Sequence, residues 1–273
     1  MKHIRIISPS GMIDPEYIRL AQQRLQSWGF QVSVGAHALD VYGRFAGVVG
    51  DRLSDLNEAF ADPSVDIILC SRGGYGLQQI IDQVVLPTRP TSEWPLVVGF
   101  SDITALHALM SLHGVPSLHA SMCKAIATLP DDAPTLILLR EALEGKACES
   151  VFCGRKIIGG NLSVLYGLQG TPYSLNAIID NCVEPPVLLI EDICERHYHI
   201  DRMMNNLRLS GVLSRLSGVI VGQFTDCDDD PKMGCTLRET LQYYLDQYDY
   251  PVVWGAPYGH EDDNRPIMFS LNV

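Results

Sequence analysis

The sequence predicts an α/β protein whose N-terminal part is built on a parallel, doubly wound sheet, and three observations lead to this class. Up to Gly114, short apolar runs that are typical of strands alternate with amphipathic stretches that are typical of helices. Two of the runs, VDIILC and PLVVGF, are apolar at nearly every position, as in a parallel sheet that helices cover on both faces. A similar alternation returns after residue 155.

The elements of the first half follow from their residues. HIRIISPS predicts a strand, and DPEYIRLAQQRLQSWGF predicts a helix because the apolar residues Ile18, Ala21, Leu25 and Trp28 recur at helical spacing. QVSVGAH predicts a short strand, SDLNEAFADP a helix that stops near Pro63, and GLQQIIDQV a further helix. After PLVVGF, the stretch DITALHALMSLHG predicts a helix that Gly114 ends.

The second half is divided less regularly. PDDAP and the helical stretch TLILLREALEG interrupt the alternation. Beyond them, ESVFCGRKIIGG, PPVLLIED, LSGVIVGQF and YPVVWGAP predict strands, with helices around HIDRMMNNLRLSG and CTLRETLQYYLDQ. We therefore predict an N-terminal α/β domain over residues 1–126, a linker region over 127–154 and a C-terminal mixed α/β domain over 155–273.

Composition and charge narrow the classes of partner. With 273 residues, 47% of them hydrophobic and 19% charged, the chain can bury a substantial core. A net charge of −12 argues against binding to nucleic acid or to anionic lipids. The N-terminal apolar stretch is too short for a secretory signal, so we expect a cytoplasmic protein. The eight cysteines include no C-x-x-C pair, and we predict reduced thiols, with disulfides as the alternative.

Ser101 lies where a parallel sheet binds ligands, directly after a predicted strand and before a predicted helix. This junction exposes the hydroxyl beside the free N–H groups of the helix, and the N–H of Asp102 can donate to an oxyanion. The sequence G-F-S-D-I lacks the second glycine of the hydrolase motif G-x-S-x-G. The alternative is that Ser101 only caps the helix.

A glycine-rich turn, RGGYG at 72–76, follows the run VDIILC. Three glycines in four positions allow the backbone to approach a ligand closely, and an N–H of this turn can complete an oxyanion hole. Arg72 can pair with a substrate carboxylate, although a surface arginine on a tight turn is the alternative. The turn matches no phosphate-binding pattern, so we predict no nucleotide cofactor.

Glu191 and His260 also follow predicted strands. Glu191 ends an apolar run, so burial is expected to require a partner for its carboxylate, either a histidine N–H or one of the arginines Arg196 and Arg202. His260 lies in a loop, and a pKa near 6.5 suits a histidine to general base catalysis.

A metal site is a weaker prediction. His197 and His199 flank Tyr198, but an i, i+2 pair without a third ligand is a poor zinc signal, and we predict no metal.

On these residues the chain resembles the LD-carboxypeptidase family, also named the muramoyltetrapeptide carboxypeptidases. The resemblance spans most of the chain, and the matching stretches occur in the family's order. They are SRGGYG at 71–76, GFSDIT at 99–104, GGNLSVLYGLQGTPY at 159–173, LLIEDICERHYHIDRMMNNL at 188–207 and PYGHEDDN at 257–264.

The resemblance implies a fold and a triad. An N-terminal flavodoxin-like parallel-sheet domain is joined to a C-terminal mixed α/β domain, with the active site between them. The family implies a serine peptidase without metal or cofactor, in which Ser101 is the nucleophile, His260 the general base and Glu191 the group that orients the histidine.

The same resemblance implies an oxyanion hole made by the backbone N–H groups of Gly74 and Asp102. We predict Arg72, and Asn161 in the matching stretch at 159–173, as substrate contacts.

The family's reaction is hydrolysis of the amide between an L-centred diamino acid and a terminal D-alanine in a murein tetrapeptide. A cytoplasmic enzyme of this kind recycles imported murein fragments, and homodimers are common in the family. Two alternatives stay open. The first is a related amidase that cleaves aminoacyl-nucleotide compounds in self-immunity, and the second is a non-catalytic protein that binds a small ligand on the same fold.

Overall fold

The computed structural model describes residues 1–146, 152 and 154–269, and within them it confirms the α/β class. The strands are β1 His3–Ile7, β2 Gln31–Val34, β3 Ile67–Cys70, β4 Leu96–Gly99, β5 Ser117–His119, β6 Ile157–Asn161, β7 Val187–Ile193, β8 Gly218–Thr225, β9 Val252–Trp254 and β10 Ile267–Phe269. The helices are α1 Pro15–Ser27, α2 Val49–Ala61, α3 Thr104–Leu112, α4 Cys123–Thr128, α5 Pro134–Glu144, α6 Leu162–Gly167, α7 Leu175–Asp180, α8 His197–Leu209 and α9 Leu237–Leu245.

The strands form two sheets. The first has the order β10-β5-β4-β3-β1-β2, and all its pairs are parallel except that of β10 with β5. Its part β2-β1-β3-β4-β5 has the flavodoxin-like order, as the family resemblance implies. The second sheet has the order β6-β7-β8-β9 and is parallel throughout.

Helix α1 shows how local sequence positions an element. Asp14 caps it, its side chain accepting the N–H of Glu16, and proline occupies the first turn. Ile18, Ala21 and Leu25 are buried along one face, as their spacing predicts. Trp28, the fourth residue of the predicted face, follows the helix as its C-cap and is half-buried.

The helix predicted for GLQQIIDQV is wrong. The structure has two short 3-10 turns there, Leu77–Gln79 and Ile81–Gln83. The N–H of Leu77 donates to the buried carboxylate of Asp102 at 2.9 Å, and Ile80 leaves the helical region at φ −124°. A tertiary contact at the first residue therefore overrides the helical pattern. The short elements β5, α4, α6 and α7 were not predicted, because three to six residues carry too little periodicity.

The predicted domain ranges do not coincide with the two sheets. Strand β10 pairs antiparallel with β5, so residues 267–269 of the predicted C-terminal domain belong to the first sheet. Within the predicted linker region, α5 contributes Leu136, Leu139 and Leu143 to a core that also contains Ile4 and Leu25. These contacts do not divide the chain into separate domains, so the domain boundaries at residues 126 and 154 stay a prediction.

A shared core brings the two sheets together. The largest apolar cluster includes Ile68 of β3, Leu106 of α3 and both Ile158 and Leu188 of the second sheet. Thr104, the first residue of α3, accepts the N–H of Asn161 at 2.9 Å, which ties β6 to the helix that follows β4. The carboxyl ends of β4 and β7 consequently face one region of the molecule.

Two findings bear on the remaining sequence-based expectations. Within the described ranges, no helix combines the length and apolar composition that crossing a bilayer requires. The six described cysteines are free thiols; Cys148 and Cys153 lie outside the described residues. The buried thiols are Cys70, Cys123 and Cys227, whereas Cys194 and Cys235 are exposed and Cys182 is half-buried.

Candidate active site

Ser101 occupies a strained junction between β4 and α3. It begins a 3-10 turn, Ser101–Ile103, with φ at +64°, in the left-handed region that serine rarely adopts. Strained strand-to-helix turns of this kind present the nucleophile of α/β-hydrolases. The alternative of an N-cap is wrong, because Phe100 precedes the turn as its cap and Ile103 precedes α3.

The glycine-rich turn lies directly against Ser101. A methyl group at Gly73 would stand 2.8 Å from Cβ of Ser101, 3.0 Å from its Oγ and 3.2 Å from the backbone nitrogen of Asp102. Only glycine therefore lets the two segments approach this closely. The turn is held in place by the N–H of Gly11, which donates to the carbonyl of Gly73 at 3.0 Å.

The close approach of Gly73 to Ser101 can be tested by substitution. Gly73→Ala is expected to displace the Ser101 side chain and to lower kcat/KM by about 100-fold, the usual cost of misplacing a reacting group by about 1 Å. Steady-state kinetics on the substrate proposed below would measure it. Gly50→Ala is the matched control, since a methyl group there meets nothing within 4 Å. If the Gly73→Ala enzyme were as active as the Gly50→Ala enzyme, the assignment of Ser101 as the reacting residue would be contradicted.

Glu191 is wholly buried on β7, and His260 donates to it. The two residues are joined by a hydrogen bond of 2.9 Å from Nδ1 of His260 to Oε2 of Glu191. Burial acts to raise the pKa of Glu191, but contacts with His119 and His260 outweigh it, so the pKa lies below its usual value. The bond assigns the proton to Nδ1 and leaves Nε2 of His260 able to accept a proton. The alternative arginine partners, Arg196 and Arg202, make no ion pair with Glu191.

The loop that carries His260 is held against β8 by hydrogen bonds. Gln223 donates from Nε2 to the carbonyl of Asp263 and accepts the N–H of Glu261 at Oε1, both at 3.1 Å. Gly222 lets the loop lie close to the strand, because a side chain there would collide with the carbonyl of Tyr258. The position of the imidazole is thus set by the backbone on both sides of it.

Ser101 and His260 line one cleft of about 620 Å³. The imidazole of His260 packs against the ring of Phe100, with 4.8 Å between the ring centres. Ser101 Oγ forms no hydrogen bond with any described residue, and catalytic hydrogen bonds often shorten only when substrate binds. The other residues that line the cleft include Asp14, Tyr17, Arg72, Gly73, Gly74, Met122, Lys124, Glu261 and Asp262.

The two predicted substrate contacts lie in different places. Arg72 lines the cleft and donates to the carbonyl of Met12 at 2.8 Å. Asn161 is buried outside the cleft, where its Nδ2 donates to Asp192 at 2.9 Å and its Oδ1 accepts the N–H of Val164 at 3.1 Å as the cap of α6. The structure therefore brings Arg72, and not Asn161, to the cleft.

Asp192, the residue after Glu191, is a second buried carboxyl. Burial and then the charge of Glu191 raise the pKa of Asp192 to about 7. Its oxygens accept the backbone N–H groups of Ser163 and Ile193, each at 2.9 Å. Asp192 thus ties the start of α6 to the strand that carries Glu191.

Sequence reasoning missed two residues that shape the site. Arg52, buried in α2, donates to the carbonyls of Pro9 at 3.0 Å and Gly76 at 2.8 Å, which anchors the glycine-rich turn. His107 donates from Nε2 to the carbonyl of Gly99 at 2.9 Å. Burial and then the nearby His119 lower the pKa of His107 to about 3, so its imidazole is neutral. A charged or polar residue on the apolar face of a helix was the available signal in both cases.

The histidines considered for metal have partners within the protein. His197 Nε2 lies 2.7 Å from the hydroxyl of Thr240, and Nδ1 of His199 donates to Glu195 at 2.9 Å. Among the described side chains, a group with metal-ligand spacing lies elsewhere, near the first turn of α2; its members are His37, Asp40 and Asp51.

Two family profiles match the chain. The LD-carboxypeptidase N-terminal domain matches residues 4–120, and the LD-carboxypeptidase C-terminal domain matches residues 155–273. A probable murein peptide carboxypeptidase of Bacillus subtilis is 31% identical, covering 94% of this chain and 83% of the relative. A murein tetrapeptide carboxypeptidase of Pseudomonas aeruginosa is 27% identical, covering 96% of this chain and 89% of the relative.

Solved structures agree in fold. The muramoyltetrapeptide carboxypeptidase of Oxalobacter formigenes superposes with a TM-score of 0.81 at 25% identity, covering 98% of this chain and 93% of that chain. The microcin C7 self-immunity protein in complex with aspartyl sulfamoyl adenosine has a TM-score of 0.80 at 17% identity, covering 98% and 91%. The second likeness concerns the fold alone.

Proposed function

Because the chain belongs to the LD-carboxypeptidase family of serine peptidases, we propose that it removes the terminal D-alanine from murein tetrapeptides, using Ser101, His260 and Glu191. One observation carries the proposal: a fully buried carboxylate holds the imidazole of His260 at 2.9 Å in the cleft that Ser101 also lines. A relative and a solved structure named for this substrate support it.

The first half of the reaction forms an acyl-enzyme. Ser101 Oγ attacks the carbonyl carbon of the L,D-amide while Nε2 of His260 takes the hydroxyl proton, and Glu191 stabilises the imidazolium. The oxygen of the tetrahedral intermediate accepts the N–H groups of Asp102 and Gly74. His260 then gives its proton to the amine of D-alanine, the C–N bond breaks, and an ester on Ser101 remains.

The second half returns the enzyme to its starting state. A water molecule attacks the ester carbonyl while His260 removes its proton, and the same two N–H groups stabilise the second intermediate. His260 then protonates Ser101 Oγ as the C–O bond breaks. The products are a murein tripeptide with a free carboxylate and D-alanine.

Arg72 is the proposed contact for the terminal carboxylate of the substrate. It lies at the cleft beside the glycine-rich turn, and a guanidinium binds a carboxylate with two parallel hydrogen bonds. Direct contact of Asn161 with substrate would require it to leave Asp192, so a supporting role behind Glu191 suits it better.

The setting of the reaction is a further part of the proposal. We propose that the enzyme acts in the cytoplasm, as a homodimer, on imported murein fragments. A net charge of −12 is consistent with a small soluble substrate rather than with docking on anionic lipid.

A comparison of substrates tests this function. The protein is incubated with a murein tetrapeptide, with the isomer that ends in L-alanine, and with an aminoacyl-nucleotide amide, and products are read by mass spectrometry. We expect loss of alanine from the first compound only. Hydrolysis of the nucleotide compound alone would favour the self-immunity amidase, and tight binding of the peptide without turnover would favour a binding protein.

A further inference from the structure

Glu191 has a second imidazole beside it. His119, the last residue of β5, places Nε2 at 4.0 Å from Oε1 of Glu191, the oxygen that does not bind His260. Both side chains are 0% exposed. The carboxylate therefore lies between two histidines, His260 and His119.

The facing atoms of this pair lack other partners. Within the described part of the chain, the two ring nitrogens of His119 have no hydrogen-bond partner. The same holds for Oε1 of Glu191. A buried polar group without a partner typically costs about 1–3 kcal/mol. An imidazole carries at least one N–H and a carboxylate oxygen accepts, so each group supplies what the other lacks. Closing the gap by about 1 Å would give an ordinary hydrogen bond.

The other neighbours of His119 offer it no alternative. Its ring packs against Phe100 at 5.8 Å, Phe269 at 5.7 Å and His107 at 6.1 Å between ring centres. The phenylalanine side chains have no nitrogen or oxygen atom that could accept a hydrogen bond from His119. His107 uses both its nitrogens, one on the carbonyl of Gly99 and one on the hydroxyl of Ser117.

We propose that His119 is a positioning residue of the triad, which donates Nε2–H to Oε1 of Glu191 and so holds the carboxylate that orients His260. A carboxylate bound at one oxygen can rotate about its last bond, whereas donors at both oxygens fix its plane. Fixing the plane keeps Oε2 on Nδ1 of His260 and leaves Nε2 directed at the cleft. The consequence for rate depends on the proposed function; the contact itself does not.

Two variants test the role in the reaction. His119→Leu removes the donor and keeps much of the volume, whereas His119→Gln keeps an N–H near the position of Nε2. We expect the leucine variant to lower kcat on the tetrapeptide by about 10- to 100-fold, with KM within about twofold, and the glutamine variant to recover most of the rate. The acid limb of kcat/KM is expected to move to higher pH in the leucine variant alone, because Glu191 then takes a proton more readily.

A double-mutant cycle separates positioning from packing. If His119 acts through the charge of Glu191, His119→Leu costs little more once Glu191→Gln is present. A role in packing alone would make the two losses add. Additive losses, or a leucine variant with the rate and pH profile of the wild type, would overturn the proposal.

A measurement without substrate tests the contact itself. In protein with ¹⁵N-labelled histidine, an imidazole proton held on a buried carboxylate appears at low field in the NMR spectrum. We expect two such protons near Glu191, one from His260 and one from His119, with the second lost in His119→Gln and both shifted in Glu191→Gln. Absence of the second proton in the wild type would overturn the proposal, even if His119→Leu fails to fold. If the wild type does not cleave the tetrapeptide, the proposed function fails while this spectrum still decides the role of His119.

Discussion

Replacing Ser101 by alanine is expected to lower kcat on a murein tetrapeptide by about four orders of magnitude or more, with little change in substrate binding. In the proposed mechanism Ser101 Oγ forms the acyl-enzyme, and the other described features of the cleft remain when it is removed. Alanine keeps the Cβ of serine, so the backbone at φ +64° is no more strained than before. The loss is therefore expected in the chemical step and not in folding.

The release of D-alanine under single-turnover conditions measures this effect. Ser54→Ala is a matched control that is expected to keep the wild-type rate, because the half-buried Ser54 lies in α2 and its hydroxyl bonds Glu58. Ser101→Gly is a second control, for stability. Because glycine adopts the left-handed region readily, this variant is expected to unfold at a temperature no lower than that of the wild type. An alanine variant that kept more than about 1% of the wild-type kcat would remove Ser101 as the nucleophile.

His260→Ala is expected to cost about as much as the loss of Ser101, whereas Glu191→Gln is expected to be about 10- to 100-fold milder. In the proposed mechanism His260 moves the proton in every step, whereas Glu191 only holds the imidazole, through the 2.9 Å bond to Nδ1. With glutamine in place, the orientation is partly kept while the charge that stabilises the imidazolium is lost.

The order of these two effects is the informative result. Kinetics of both variants over a range of pH, with His199→Ala as a control whose imidazole bonds Glu195, would establish it. Added imidazole is expected to restore part of the rate to His260→Ala alone, since that variant lacks a base in an otherwise complete site. Equal and negligible losses in both variants would mean that another group is the base.

Much of the fold could be read from local sequence. Continuously apolar runs predicted β3, β4, β7 and β8, because strands covered on both faces need apolar side chains on both. The three proposed triad residues were also named from the sequence, because each follows a predicted strand and lies in a stretch that resembles the family. Position at strand ends and motif together were enough to name them.

Other features depended on contacts between distant segments. The residues GLQQIIDQV do not form a helix because Asp102 captures the N–H of Leu77. Asn161 lies in a family stretch, but its amide is engaged with Asp192 and not with the cleft. Strand β10 joins the first sheet by pairing with β5, and no local sequence pattern predicts this pairing. In each case the partner is far along the chain, so the pattern around the residue itself carried no signal.

By itself, the sequence determined the class of fold and most of its longer strands, and it indicated a serine, a glutamate and a histidine as candidates for the site. The tertiary structure alone decided that Glu191 meets His260 at 2.9 Å and that His119 stands on its other side at 4.0 Å. Periodicity reports which face of an element is buried, because that depends on neighbouring residues. Which buried groups meet depends on how two sheets and α3 pack into one core, and this is a property of the whole chain.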